Sequence, residues 1–209
     1  MDGYFSISGE CVTHKIIEKS RFITTSRRVE GEQAAKLFVS EMRDKYPDAT
    51  HNCYAYVCDK YGNFMRFSDD NEPQGTAGMP ILEVIKNKKL FETAVVVTRY
   101  FGGIKLGAGG LTRAYSGCAA ENLDLAEKVF YTVCCESKYT VDYSSAEAAS
   151  RFFAENKSEV LGAEYSDAVI YTVAVKKDGA DAFDRAFFDL LNGKVKICRQ
   201  KEYYFPFKL

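Results

Sequence analysis

The sequence lacks any apolar run approaching ~18 residues, the length a membrane-spanning helix needs, and it has no apolar leader core near its start. Membrane spanning and secretion are therefore not expected, and the chain reads as cytoplasmic. It also lacks a strong charge of either sign. With 28 Lys and Arg against 29 Asp and Glu, the net charge is −1, so wholesale electrostatic binding of nucleic acid is disfavoured and only a local patch remains open. No DNA sequence readout is expected. The seven cysteines include no Cys-x-x-Cys pair, which argues against a zinc ribbon; scattered in apolar context, they fit reduced core thiols better than a disulfide framework. Tryptophan is absent as well, which excludes nothing.

What is present is a chain of 209 residues, 46% hydrophobic, enough for one large domain or two smaller ones with their own cores. Alternation predicts strands at Cys11–Ile17 and Arg21–Val29, joined tightly by Glu18-Lys19-Ser20. Apolar residues at Ala34, Leu37, Phe38 and Met42 predict a helix over 33–46 that Pro47 stops. Strands follow at 52–59 and 64–67, then a polar loop, a helix over 76–89, a buried strand at 93–98 and a helix over 111–128. From Val129 the pattern becomes strand, helix, strand, strand, helix, strand, the βαββαβ order of a ferredoxin-like unit. The expected organisation is thus α+β, with domains over 1–128 and 129–209.

The densest functional signal is Thr98-Arg99-Tyr100-Phe101-Gly102-Gly103-Ile104-Lys105-Leu106-Gly107-Ala108-Gly109-Gly110-Leu111-Thr112-Arg113. It joins a β-branched run to a helical pattern through glycines, which let backbone amides approach an anion while the helix N-terminus adds roughly half a positive charge. It matches neither a Walker A loop nor the dinucleotide fingerprint. Gly107, Gly109 and Gly110 with Lys105, Arg113 and Arg99 are the candidate phosphate ligands, and Lys19 and Arg21, with Arg27 and Arg28, extend the same surface. The competing reading is a tight crossover in which small residues serve packing alone.

A second block, Asp69-Asp70-Asn71-Glu72-Pro73-Gln74-Gly75-Thr76-Ala77-Gly78, sets carboxylates ahead of a helix start. Asp69, Asp70 and Glu72 either hold Mg²⁺ for a phosphotransferase or cap helix amides and pair with a nearby arginine. His51 and Cys53 share a strand face, with Cys58 beyond, and read either as ligands or nucleophile or as ordinary core residues. The terminal aromatics Tyr203, Tyr204, Phe205 and Phe207 offer stacking faces or edge-strand packing. No resident metal, cofactor or catalytic residue is assigned.

These blocks, with Glu18-Lys19-Ser20-Arg21-Phe22-Ile23 and His51-Asn52-Cys53-Tyr54-Ala55, resemble the IMPACT/YigZ family across most of residues 15–127. The resemblance implies an N-terminal domain like the second domain of small-subunit ribosomal protein five and a C-terminal domain like the last domain of elongation factor G. It also implies a binding role linked to translation, with RNA, the ribosome or a translation-associated protein as partner. Asn71 stands where the family usually has Gly, and Thr112 where an aliphatic is usual. Asn accepts a left-handed φ, so the loop remains feasible.

Overall fold

The computed structural model describes residues 3–208. Two compact units divide the chain, Tyr4–Val129 and Phe130–Lys208, the second also taking Gly3. The architecture is mixed α+β.

The first unit contains β1 (Gly3–Ile7, its first residue in the other unit), β2 (Glu10–Ile17), β3 (Ser20–Arg28), α1 (Gly31–Lys45), β4 (His51–Val57), β5 (Met65–Ser68), α2 (Gly78–Asn87), β6 (Thr93–Tyr100) and α3 (Gly107–Leu125). Its antiparallel sheet runs β2-β3-β6-β4-β5. Central strand β6 is buried from Thr93 to Arg99 because helices cover both faces. Val95 and Val97 pack with α2 and α3, whereas Ala94 and Val96 meet Phe38 and Met42 of α1. Burying each such valine is worth about 1.5–3 kcal/mol.

The predicted hairpin is β2 and β3, and its two-residue turn places Glu18 and Lys19 at φ +45° and +62°, the signature of a type I′ turn. Most boundaries shift by a few residues, and two of the shifts bear on the site. β1 had no sequence signal beyond its short run. Helix α2 begins at Gly78 rather than near residue 76, and α3 begins at Gly107 rather than 111. The candidate glycines 107, 109 and 110 therefore form the first turn of α3. Glycine's helix penalty of about 1 kcal/mol each is offset by the packing of Leu111, Ala114 and Tyr115 just beyond.

The second unit comprises β7 (Lys128–Val141, its first two residues in the preceding unit), α4 (Ala146–Glu155), β8 (Glu159–Tyr165), β9 (Val169–Lys176), α5 (Ala180–Leu190) and β10 (Lys196–Lys208). The strand order β10-β7-β9-β8 is the split βαββαβ arrangement. Tyr139 and Phe153 centre its helix-side core, with Phe183 and Phe187 edge-on to Tyr139. The terminal aromatics continue β10 through Pro206, and Phe207 is buried against Cys134 and Ala174. Proline is tolerated in such a strand when it lies at the sheet's edge.

The cysteines are free thiols, and Cys198 is exposed whereas Cys53, Cys58, Cys118, Cys134 and Cys135 are buried. Burial pushes the Cys118 thiol up to about 11 and that of Cys53 well above its ordinary range. A thiol-specific disulfide reagent is expected to titrate Cys198 rapidly in the native protein, half-buried Cys11 more slowly, and the five buried thiols only as unfolding exposes them. Fast reaction of several thiols in the folded protein would contradict the packing.

Candidate functional site

Three segments meet at one end of the first sheet: the β2–β3 turn, the loop leaving β6, and the start of α3. Their approach requires glycine at 102. A Cβ there would lie 2.0 Å from the Lys19 carbonyl carbon and oxygen. The contact is tied by Ser20, whose Oγ accepts from Gly102 N at 3.2 Å and from Arg99 Nη2 at 3.2 Å.

Beyond that junction, Leu106 is right-handed (φ −81°, ψ −19°) and Gly107 has φ +68°. A right-handed residue followed by a positive-φ glycine turns successive amides toward one concavity, the backbone nest that receives anions. Helix α3 has no side-chain cap and no acid in its first turn, so its leading amides and dipole are uncompensated. Lys105 and Arg113 are exposed and form no ion pair among the described residues. With Ile17, Glu18, Ile104 and Gly110 they line an open cavity of about 460 Å³. Lys19 lies on the turn that packs on Gly102, and the Arg21 guanidinium sits 4.2 Å above the Tyr100 ring. Phe101 is 46% exposed, which leaves an aromatic face beside these cations.

Arg99 does not belong to this surface. The residue is 4% exposed, and its Nη1 donates to Glu72 Oε1 at 2.6 Å. On β6 it continues the Val95, Val97 alternation into the face under α2 and α3, where Tyr115 donates to the same Glu72 oxygen at 2.8 Å. Burial raises the Tyr115 hydroxyl far above the ordinary phenol range, so it acts as a donor. Arg27 and Arg28 are likewise spent on neighbours: Arg27 bonds Glu10 and Glu41, and Arg28 bonds Glu30 and Glu92.

The acidic block is consumed internally. Asp69 Oδ1 accepts from Ala77 N at 3.0 Å and Gly78 N at 2.8 Å, while Oδ2 accepts from Gly75 N at 2.8 Å, capping α2 from outside the helix. Asp70 Oδ2 accepts from Asn52 N at 2.6 Å and its Oδ1 from Arg43 at 3.1 Å. Asn71 adopts φ +67°, the left-handed conformation its side chain tolerates. Of the two readings of the block, the capping and pairing one describes how the carboxylates are used, and the arginine they pair with in the core is Arg99. His51 joins the same network, its Nδ1 2.8 Å from Asp70 O and its Nε2 3.7 Å from Glu72. Cys53 donates to Asp69 O at 2.9 Å. Among the described residues, no group of three or more His, Cys, Asp and Glu side chains is placed to hold a metal.

Comparison with known proteins now bears on these segments. The model of the Impact N-terminal domain matches residues 18–123 and that of a domain of unknown function (DUF1949) matches residues 140–194. The chain belongs to the IMPACT family. It is 39% identical over 198 residues to the IMPACT family member YvyE of Bacillus subtilis, covering 94% of this chain and 91% of that one. It is 32% identical over 188 residues to the IMPACT family member YigZ of Escherichia coli, covering 89% and 92%. A crystal structure described as that of a hypothetical protein superposes with a TM-score of 0.62 at 30% identity, covering 96% of this chain and 98% of its own.

Within this IMPACT-family chain, the segment matched by the Impact N-terminal domain contains the β2–β3 turn, the Glu72–Arg99 pair, the nest and Arg113. Sequence reasoning missed Ser20 and Gly102 as the residues that hold the turn against the loop, since their role depends on a contact between segments about eighty positions apart in the chain. Thr112, the departure from the aliphatic pattern, turns its hydroxyl back to Ala108 O at 3.1 Å and adds no donor to the nest.

Proposed function

We propose that this IMPACT-family chain is a binding module that engages RNA phosphate, as a regulator working on the translation machinery, through the nest at Leu106–Gly107, Lys105, Arg113 and the Lys19–Arg21 turn. The observation that carries the reading is the pairing of an uncapped helix start with two exposed cations that have no carboxylate partner. Structural lysines and arginines in this protein are spent on carboxylates, as Arg27, Arg28 and Arg99 are. Lys105 and Arg113 hold charge in reserve beside amide donors that an anion can satisfy. Exposed Phe101 and the Arg21–Tyr100 stack supply planar faces for unpaired bases, which favours single-stranded RNA over a compact anion. Membership of the IMPACT family supports a binding role, and the likeness to ribosomal protein five and elongation factor G that the family resemblance implies directs that role to the ribosome.

The test compares RNA binding and stability in the same variants. Lys105→Ala and Arg113→Ala are each expected to weaken binding of a short single-stranded RNA by about tenfold. Their thermal midpoints are expected to stay near that of the parent, because neither side chain has a structural partner. Unchanged affinity in the double variant would overturn the proposal. Partner capture from ribosome fractions that survives nuclease treatment would redirect it to a protein.

A further inference from the structure

The cavity beside the nest carries one charge that phosphate binding leaves unexplained. Glu18 lines it together with Lys105 and Arg113, and all three residues are exposed. A carboxylate and two cations on the wall of one cavity would ordinarily neutralise each other in ion pairs, as Lys15 does with Glu121 and Lys88 with Asp124 on neighbouring surfaces. Here they stay apart. Among the described residues the Glu18 side chain forms no ion pair and no hydrogen bond, and neither do the side chains of Lys105 and Arg113.

The carboxylate is nonetheless held at the cavity. Glu18 is the first central residue of the type I′ turn, at φ +45°, a position where Asn, Asp and Gly are favoured. The turn is fixed against the loop that leads into the nest, because the Lys19 carbonyl packs on Gly102 and the buried Ser20 hydroxyl accepts from Gly102 N at 3.2 Å. A negative side chain held beside an anion site weakens phosphate binding unless the ligand brings a donor for it. In a nucleotide the donor nearest the phosphates is the ribose 2′-hydroxyl, whereas the base edges lie a sugar further away. A carboxylate is an acceptor suited to that hydroxyl. Ile17, Ile104 and Leu106 complete the wall with apolar surface, against which a sugar ring packs. The 2′-hydroxyl is also the group by which a protein tells RNA from DNA.

We infer that Glu18 is the specificity-determining residue of this cavity: its carboxylate accepts from the 2′-hydroxyl of the nucleotide whose phosphate Lys105 and Arg113 hold, so that ribose is selected over deoxyribose. This role rests on the RNA-phosphate reading of the same cavity. On DNA the carboxylate meets no donor, and its repulsion of the phosphate stands alone. The probes are a fluorescein-labelled decauridylate and its 2′-deoxy counterpart, identical in bases and phosphates, titrated by anisotropy at one salt concentration. The parent protein is expected to bind the ribo form about tenfold more tightly. Glu18→Ala is expected to abolish that preference, chiefly by binding the deoxy form more tightly, with an unchanged thermal midpoint because the side chain removed has no bond within the fold. Equal binding of the two forms by the parent, or a preference that persists in Glu18→Ala, would overturn this role while leaving the phosphate contacts of Lys105 and Arg113 standing. Binding of neither form would overturn the RNA reading and this role with it.

Discussion

Replacing Glu72 with glutamine is expected to lower the unfolding free energy by about 3–5 kcal/mol, the cost of leaving a buried charge without its partner. Glu72 and Arg99 are both nearly inaccessible, with side-chain exposures of 4% and 5%. Arg99 has few alternatives among the described residues: Nη2 reaches only the Ser20 hydroxyl, and its buried Nε has no partner there. Glutamine retains an acceptor for the Tyr115 hydroxyl, so the loss isolates the charge. Denaturant unfolding of Glu72→Gln, Arg99→Met and the Glu72→Met, Arg99→Met double variant measures the coupling. The double variant should be more stable than Glu72→Gln, because removing both charges also removes their desolvation cost. A loss below about 1 kcal/mol in Glu72→Gln would mean that water reaches the pair and that the pair is worth no more than a surface bridge.

The second large effect is expected at Gly102. An alanine there places a methyl carbon 2.0 Å from the Lys19 carbonyl and 2.5 Å from Ser20 N, backbone atoms that cannot turn aside as a side chain would. The β2–β3 turn must then separate from the loop, losing the Ser20 bonds, at about 3 kcal/mol. Gly109 provides the contrast. No atom lies within 4 Å of a Cβ added there, so Gly109→Ala is expected to be neutral or to stabilise by about 0.5–1 kcal/mol through helix propensity. A Gly102→Ala protein within about 0.5 kcal/mol of the parent would show that turn and loop are not in contact.

Much of the first unit was legible because its signals are local. The 3.6-residue spacing before Pro47 specified α1, and two polar residues between alternating runs specified the hairpin. The role of Arg99 was not, since an arginine beside glycines reads as an anion ligand. The signal that would have placed it was the two-residue period: Val95, Val97 and Arg99 occupy one face, and the first two are fully buried. A buried Arg on that face demands a carboxylate, and Glu72 in the acidic block supplies it. The start of α3 was illegible for a different reason. Glycine has poor helix propensity, and only the packing of Leu111 and Tyr115 against the sheet carries the helix back to Gly107. Of the two readings of the terminal aromatics, packing describes Phe207, which β10 carries past Pro206 to bury against Cys134 and Ala174.

The most direct test of the central claim is the salt dependence of single-stranded RNA binding by the parent protein and by the Lys105→Ala and Arg113→Ala variants. Four cations, Lys19, Arg21, Lys105 and Arg113, would give a slope of log affinity against log salt of roughly −3, and each alanine should reduce its magnitude by about 0.7. Slopes that fall stepwise in this way would establish that Lys105 and Arg113 meet phosphates. A parent protein that binds no RNA, or variants whose slopes match the parent's, would contradict the account.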